Sequence, residues 1–272
     1  MKSLVLLDLD GTLWMREIIP DSALEALKQA EANGHLILTS TGRGRSTAWQ
    51  FLKDVPLSGQ VYSVGSEIWM NGKRIFYKPL GGERARRIVE TLDQSGASVM
   101  AEGSDQTFIN QKSFNDILGF YNHDGKGELP IFAKSPLLDT MSDEDYDQVM
   151  KVTVRWADPK LVHEIMEREG LSFTPFENSD PEHALHGELS DRHYNKGTAA
   201  RDILEVLGEP YRVMAFGDSE NDLSMIRTAD VGVAMGNAVD KLKEEADYIT
   251  TDIDNDGLYN AFKHFGLLDP QQ

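Results

Sequence analysis

The stretch Leu4-Val5-Leu6-Leu7-Asp8-Leu9-Asp10-Gly11-Thr12-Leu13 decides the fold. Its first four residues are apolar without a polar break, the pattern of a strand covered on both faces. Two aspartates follow at a spacing of two, which on a strand projects both to the same side. Asp10-Gly11 is also turn chemistry, so the pair reads as a capped strand end. Alternatively, two carboxylates leave one sheet edge together, and a cation relieves their repulsion.

Working outward, Ser22 with Glu25 predicts a capping box, and Leu24 and Leu27 give the helix that follows its apolar stripe. Asn33-Gly34 ends that helix and Leu36-Ile37-Leu38 begins a second strand. Toward the other end, Ala199, Ala200, Ile203, Leu204 and Leu207 mark a helix closed by Gly208. Val213-Met214-Ala215-Phe216 and Val231-Gly232-Val233-Ala234-Met235 are two more buried strands. Such alternation predicts an α/β protein with a doubly wound, Rossmann-like parallel sheet and helices on both faces. The middle differs. Ser98 to Ala101, Thr107 to Gln111, Lys151 to Trp156 and His183 to Leu189 alternate or carry charge, and Glu83 to Gln94 and Pro159 to Arg168 are helical. This predicts an antiparallel α+β module inserted at 81–190, with the core formed by 1–80 and 191–272.

A chain of 272 residues, 40% hydrophobic and 26% charged, has length and apolar content for this arrangement. Its net charge of −18 disfavours nucleic acid and anionic membranes as partners, and any phosphate ligand then needs a local cation. Absence of cysteine removes disulfides, thiolate nucleophiles and cysteine zinc sites. The N-terminal apolar run is too short for a signal peptide or a membrane helix, so a soluble, cytoplasmic protein is expected.

Three more polar clusters sit after strands or at helix entrances, where open α/β sheets bind ligands. Gly217-Asp218-Ser219-Glu220-Asn221-Asp222 offers oxygen ligands suited to Mg²⁺, or is a solvated acidic loop. Thr39-Ser40-Thr41-Gly42-Arg43 offers a hydroxyl and backbone amides for a phosphate, or is ordinary capping. Asn195-Lys196-Gly197 places a lysine where the helix macrodipole disfavours it, unless both face an anion.

The order Asp-x-Asp-Gly-Thr, hydroxyl-Gly-Arg, Lys-Gly and Gly-Asp-x-x-Asn-Asp resembles the haloacid dehalogenase superfamily of phosphotransferases. The insert and the tail Val233-Ala234-Met235-Gly236-Asn237-Ala238 are similar to the Cof-like subfamily with a large α/β cap. Ser63-Val64-Gly65-Ser66-Glu67-Ile68 departs from that subfamily's Asn-Gly-Ala pattern and is similar to sucrose-phosphate phosphatases. The resemblance implies that Asp8 is the nucleophile and Asp10 the general acid and base. It implies phosphate binding by Thr41, Gly42, Lys196 and Asn221. Mg²⁺ would be held by Asp8, the Asp10 carbonyl and Asp218, with Asp222 in support.

The implied function is a Mg²⁺-dependent phosphatase that hydrolyses a small phosphorylated metabolite, a sugar phosphate first, through an aspartyl-phosphate. A phosphomutase with the same core is the enzymatic rival. A receiver-like signalling protein and a non-catalytic phosphometabolite sensor are the others. The insert is expected to choose the substrate, with Asn110, Arg155, His186 and Glu188 as candidate contacts. The sequence leaves the oligomeric state open.

Some signals are discounted. Asp252 to Gly257 imitates an EF-hand, but Lys263 stands at the twelfth position, where a bidentate glutamate belongs. His183 and His186 lie on a strand-like segment and do not share a ligand face, and Trp49, Trp69 and Trp156 read as packing.

Overall fold

Every residue of β1 (Ser3–Leu7) is buried, as its unbroken apolar run requires when both faces of a sheet are covered. In the computed structural model, which describes residues 2–124, 131–176 and 178–270, the chain continues through α1 (Asp21–Ala32), β2 (Leu36–Ser40), α2 (Arg45–Leu52) and β3 (Gly59–Tyr62). It then forms β4 (Glu67–Met70), β5 (Lys73–Tyr77), α3 (Gly82–Gln94), β6 (Ser98–Gly103), β7 (Thr107–Ile109) and α4 (Gln111–Asp124). After these come α5 (Asp143–Asp147), β8 (Val149–Ala157), α6 (Pro159–Glu169), β9 (Leu171–Pro175) and β10 (Leu185–Asp191). The last part contains α7 (Lys196–Leu207), β11 (Arg212–Gly217), α8 (Leu223–Thr228), β12 (Val231–Ala234), α9 (Asp240–Glu245), β13 (Tyr248–Ile249) and α10 (Gly257–His264).

These elements group into two compact units. The first comprises Met1–Gly42, Phe51–Tyr77 and Tyr194–Gln272; the second comprises Arg43–Gln50 and Lys78–His193. The first holds an eight-stranded sheet in the order β13-β12-β11-β1-β2-β3-β4-β5. It is parallel from β13 to β3, and Leu7 of β1 pairs with Phe216 on one side and Thr39 on the other. Chain order reverses around β1, so the carboxyl ends of β2, β1 and β11 lie side by side at the switch point where such sheets bind ligands.

Three details differ from the sequence expectation. The Ser22–Glu25 capping box is not formed: α1 starts two residues earlier than that box requires, behind Pro20, with Asp21 in its first turn and no side-chain cap. Proline fixes the entry torsion and an acidic residue suits the positive helix end, so the hydroxyl is not needed there. The predicted stop at Asn33-Gly34 is present, with Gly34 at φ +84°. The sheet also ends in an antiparallel hairpin, β4–β5, because Asn71 (φ 49°) and Gly72 (φ 73°) make the two-residue left-handed turn that joins twisted strands. Finally, Arg43–Gln50 groups with the insert rather than with 1–80. Arg45 pairs with Asp105, and the Ser46 hydroxyl lies 3.3 Å from the Gly103 carbonyl and 3.0 Å from the Thr107 hydroxyl.

The second unit carries an all-antiparallel sheet in the order β7-β6-β8-β10-β9. Its own apolar core joins Ile88, Val89 and Leu92 of α3 to Val152 and Val154 of β8 and to Val162 and Ile165 of α6. Among the described residues, no helix is long and apolar enough to cross a membrane.

Candidate active site

Asp8 follows β1 directly, and its N–H donates to the Phe216 carbonyl at 3.0 Å, so the ladder carries its side chain to the sheet edge. Asp218 follows β11 on the neighbouring strand. Gly11 (φ +87°) is required here twice over: its backbone is left-handed, and a Cβ would strike the Asp218 carboxylate. That close approach lets the Thr12 hydroxyl donate to Asp218 Oδ1 at 3.0 Å. Asn237 ties the same turn down, donating to the Gly11 carbonyl at 2.9 Å and accepting from the Ile253 N–H.

Asp222 organises its loop. Its Oδ2 accepts the N–H groups of Asp218 (3.0 Å) and Ser219 (3.1 Å), and its Oδ1 accepts from Lys196 Nζ at 2.6 Å. Lys196 opens α7 behind Asn195, whose side chain caps the helix in a reciprocal box with Thr198. Fully buried, Lys196 also donates to Asp8 Oδ1 at 2.6 Å and to Asn221 Oδ1 at 2.9 Å. The lysine that opposed the helix dipole therefore answers buried carboxylates.

Carboxylate oxygens of Asp8, Asp218 and Asp222 lie within 4.8 Å of one another. Burial first, and Asp222 second, hold the Asp8 carboxyl well above its usual range, while Lys196 pulls it back. The same two causes push Asp218 up to about 6. Asp8 and Asp222 share the lysine, whereas no cationic side chain bonds Asp218 among the described residues. Two buried carboxylates and one half-buried one against a single ammonium leave excess negative charge beside an all-oxygen donor set. That fits a hard divalent cation such as Mg²⁺.

The remaining expected residues fall around this centre in the sheet. Thr41 is buried just past β2; its N–H donates to the Val61 carbonyl and its own carbonyl accepts from Val64, both at 3.0 Å, and Gly42 follows it. Ser63, Val64 and Gly65 all have positive φ, and a Cβ on Gly65 would strike the Asn195 carbonyl, so this strained turn touches the backbone of both Thr41 and Asn195. Asp10 is exposed, stands outside the carboxylate group, and accepts from Trp14 Nε1 at 2.9 Å. Thr12 was not among the expected site residues, although its place in Asp-Gly-Thr, next to the turn, was a signal.

In the second unit the expected contacts separate. Asn110 is spent on structure: its Oδ1 accepts from Val99 and Ser113, and its Nδ2 donates to Asp93 and the Ala97 carbonyl. His186 is buried with its ring edge-on to Trp156 at 4.5 Å, whereas His183 is exposed beside Asp180. Arg155 and Glu188 line a cavity.

The sequence profile of the haloacid dehalogenase-like hydrolases matches residues 5–262. A 5-amino-6-(5-phospho-D-ribitylamino)uracil phosphatase of Bacillus subtilis is 30% identical over 271 residues, covering 97% of this chain and 96% of that protein. Among solved structures, a phosphatase of the superfamily from Bacteroides thetaiotaomicron is 27% identical, covers 98% of this chain and 96% of its own, and superposes with a TM-score of 0.80. A subclass IIB sugar phosphatase, also 27% identical, covers 98% of this chain and 100% of its own with a TM-score of 0.73. A mostly parallel sheet with acidic loops at its switch point, interrupted in the chain by a second α+β unit, is the architecture that these relatives share. The chain belongs to the haloacid dehalogenase-like hydrolase family, as a phosphoric monoester hydrolase.

Proposed function

We propose that this protein is a Mg²⁺-dependent phosphatase that hydrolyses the phosphomonoester of a small polyhydroxylated metabolite through an aspartyl-phosphate on Asp8. The observation that carries this reading is the 2.6 Å contact between Lys196 Nζ and Asp8 Oδ1 within the carboxylate group. Lys196 holds one oxygen of Asp8, leaving the other to attack phosphorus. As the new P–O bond forms, the ester P–O bond breaks and its electron pair leaves with the alcohol oxygen. Asp10, oriented by Trp14, supplies the proton that oxygen takes up. In the second half Asp10 takes a proton from water; the hydroxyl adds to phosphorus, the P–O bond to Asp8 breaks, and phosphate departs. The Thr41 hydroxyl, the Gly42 backbone, Lys196 and Asn221 bind the phosphoryl oxygens. Asp8, the Asp10 carbonyl and Asp218 would hold Mg²⁺, which would supply charge neutralisation between nucleophile and phosphate.

The names of the relatives support a polyol or sugar phosphate: one acts on a ribitylamino phosphate and one is a sugar phosphatase. A phosphate-release screen over phosphorylated sugars, polyols, nucleotides and small acids, with Mg²⁺ and with chelator, tests the proposal. Release with Mg²⁺, its loss in chelator and its loss in Asp8→Asn are expected. Full release in chelator, or from Asp8→Asn, overturns the mechanism; retention of the phosphoryl group in an isomerised product makes the enzyme a mutase.

A further inference from the structure

Asp10 is exposed, yet one of its carboxylate oxygens is held from inside the protein: Trp14, 0% exposed, donates from Nε1 to Asp10 Oδ1 at 2.9 Å. Both residues belong to the first unit, as does Phe51 beneath them. The backbone builds this contact within one short loop. The Leu9 carbonyl accepts the N–H groups of Thr12 (3.3 Å), Leu13 (3.0 Å) and Trp14 (2.9 Å), and the Gly11 N–H donates to the Trp14 carbonyl at 2.9 Å. This winding returns residue 14 to the side of residue 10, where the two form an isolated parallel bridge. Directly afterwards, Met15 and Ile18 exchange both backbone hydrogen bonds, at 3.0 and 3.1 Å, around Arg16 (φ 53°) and Glu17 (φ 60°). A two-residue turn of this kind favours glycine or asparagine, so two left-handed residues with long side chains are strain that the surroundings must hold. The buried indole just before the turn is the anchor, with Phe51 of α2 edge-on to it at 5.9 Å.

A buried indole N–H needs an acceptor, but a backbone carbonyl would serve it as well as a carboxylate. An exposed carboxylate, in turn, needs no partner from the interior, because water solvates it. What the pairing supplies is order. A carboxylate on an exposed loop samples several rotamers, and fixing Oδ1 to a donor set in the core selects among them. Proton transfer depends on that selection, since a general acid must lie within hydrogen-bond reach of the leaving oxygen as the ester bond breaks.

Resting on the phosphatase reading, in which Asp10 is the acid and base, we infer that Trp14 is a positioning residue for Asp10. Its indole N–H holds the carboxyl in the orientation that protonates the departing alcohol oxygen and later takes a proton from water. The proton that moves is the carboxyl's; the indole keeps its own throughout. The test uses the full chain with Mg²⁺ and two esters. One is a sugar monophosphate, whose alcohol needs a proton to leave; the other is p-nitrophenyl phosphate, whose phenolate leaves without one. The readout is kcat/KM, which reports the steps through cleavage of the ester bond. Trp14→Phe keeps an aromatic ring beside Phe51 and deletes the donor. It should lower kcat/KM for the sugar phosphate about ten- to a hundred-fold, part of what a general acid supplies, and should lower that for p-nitrophenyl phosphate much less. In an Asp10→Asn background the same substitution should cost less than about two-fold more, because a donor that acts through Asp10 then has no acid to position. Benzothienylalanine at position 14 puts sulfur in place of the N–H and keeps the bicyclic shape. It should show the same pattern, and it decides the matter where Trp14→Phe folds poorly. Equal losses for the two esters, a full additional loss in the double variant, or a wild-type rate with benzothienylalanine overturns the inference while the phosphatase stands. An Asp10→Asn enzyme as active as wild type, or a wild type that hydrolyses neither ester, overturns the reading of Asp10 and this inference with it.

Discussion

Lys196 Nζ lies 2.6 Å from Asp8 Oδ1 and 2.6 Å from Asp222 Oδ1, so a single buried ammonium serves two carboxylates from different strands. Burial works against its charge, but Asp222 and Asp8 outweigh burial and raise its pKa. Lys196→Met removes the shared partner and leaves the two carboxylates facing each other. Breaking a buried pair in this way costs roughly 3–5 kcal/mol, so the melting temperature should fall. Phosphate release should drop about 100- to 1,000-fold, the scale of losing one charge-stabilising donor. Thermal melts and initial rates check both; a variant with normal turnover would remove Lys196 from the site.

Among the described residues no cationic side chain bonds Asp218, and burial with Asp222 pushes it up to about 6 from an ordinary 3.8. A carboxyl raised in the folded state contributes stability that is full below the unfolded value and is lost as pH rises through about 6. Without metal, Asp218→Asn should therefore melt higher than wild type at pH 7.5, with the gap closing toward pH 4. Mg²⁺ should raise the wild-type melting temperature more at pH 7.5 than at pH 5, and should raise that of Asp218→Asn little. Melting curves with Mg²⁺ and with chelator, across this pH range, measure all three. An equal Mg²⁺ response in the two proteins would take Asp218 out of the metal site.

What was legible in the sequence follows from how local the signal was. Four consecutive residues suffice to mark each buried strand, Leu4 to Leu7 and Val213 to Phe216, because covering both faces of a parallel sheet requires an apolar run. The carboxylate loops were legible because they come directly after those strands. The β4–β5 hairpin was also signalled, by Asn71-Gly72, but its strands are short and charged enough to hide between stronger elements. The sharing of Lys196 by Asp8 and Asp222 was not legible, since those residues lie 188 and 26 positions away in the chain. In the insert, the alternation Lys151-Val152-Thr153-Val154-Arg155 announced a strand with one polar face, but only the sheet order brings Glu102 and Glu188 beside it.

His35 offers a test of the core that does not involve the carboxylates. It is 2% exposed, and its Nδ1 accepts the Ser3 N–H at 3.1 Å, joining the start of β1 to the turn before β2. Burial lowers its pKa below the ordinary 6.5. A histidine lowered in the folded state gives stability that is present above the unfolded value and is lost as pH falls below it, because the unfolded chain takes the proton first. Protonation would also set two donors against each other. His35→Asn keeps an acceptor near Nδ1 and does not titrate. Between pH 7.5 and 5.5 the wild type should lose more melting temperature than this variant; parallel curves would show that His35 is not buried as an acceptor.

The turn Ser63-Val64-Gly65 makes the last prediction, because it connects backbone strain to the reacting centre. All three residues have positive φ (48°, 59° and 100°), a conformation that a β-branched valine adopts only under constraint. Two contacts impose it: the Val64 N–H donates to the Thr41 carbonyl at 3.0 Å, and Gly65 packs so closely on the Asn195 carbonyl that no Cβ fits between them. Thr41 and Asn195 adjoin Gly42 and Lys196, so the turn touches both the segment after β2 and the start of α7, the two segments proposed to bind phosphate. Gly65→Ala adds both a strained torsion and a clash with backbone, and backbone cannot swing aside as a side chain can. Displacing Asn195 shifts Lys196 relative to Asp8, and misplacement on the order of 1 Å costs about 100-fold in rate. We expect kcat to fall far more than the affinity for inorganic phosphate, with the loss shared by every substrate because the shared phosphate site is what moves. Val64→Gly relieves strain without adding bulk, so it should fold at least as well and retain turnover provided the Thr41 hydrogen bond persists. Steady-state kinetics with two unrelated phosphate esters, together with thermal melts, check the pair. A Gly65→Ala enzyme with normal kcat would show that the turn does not position Lys196.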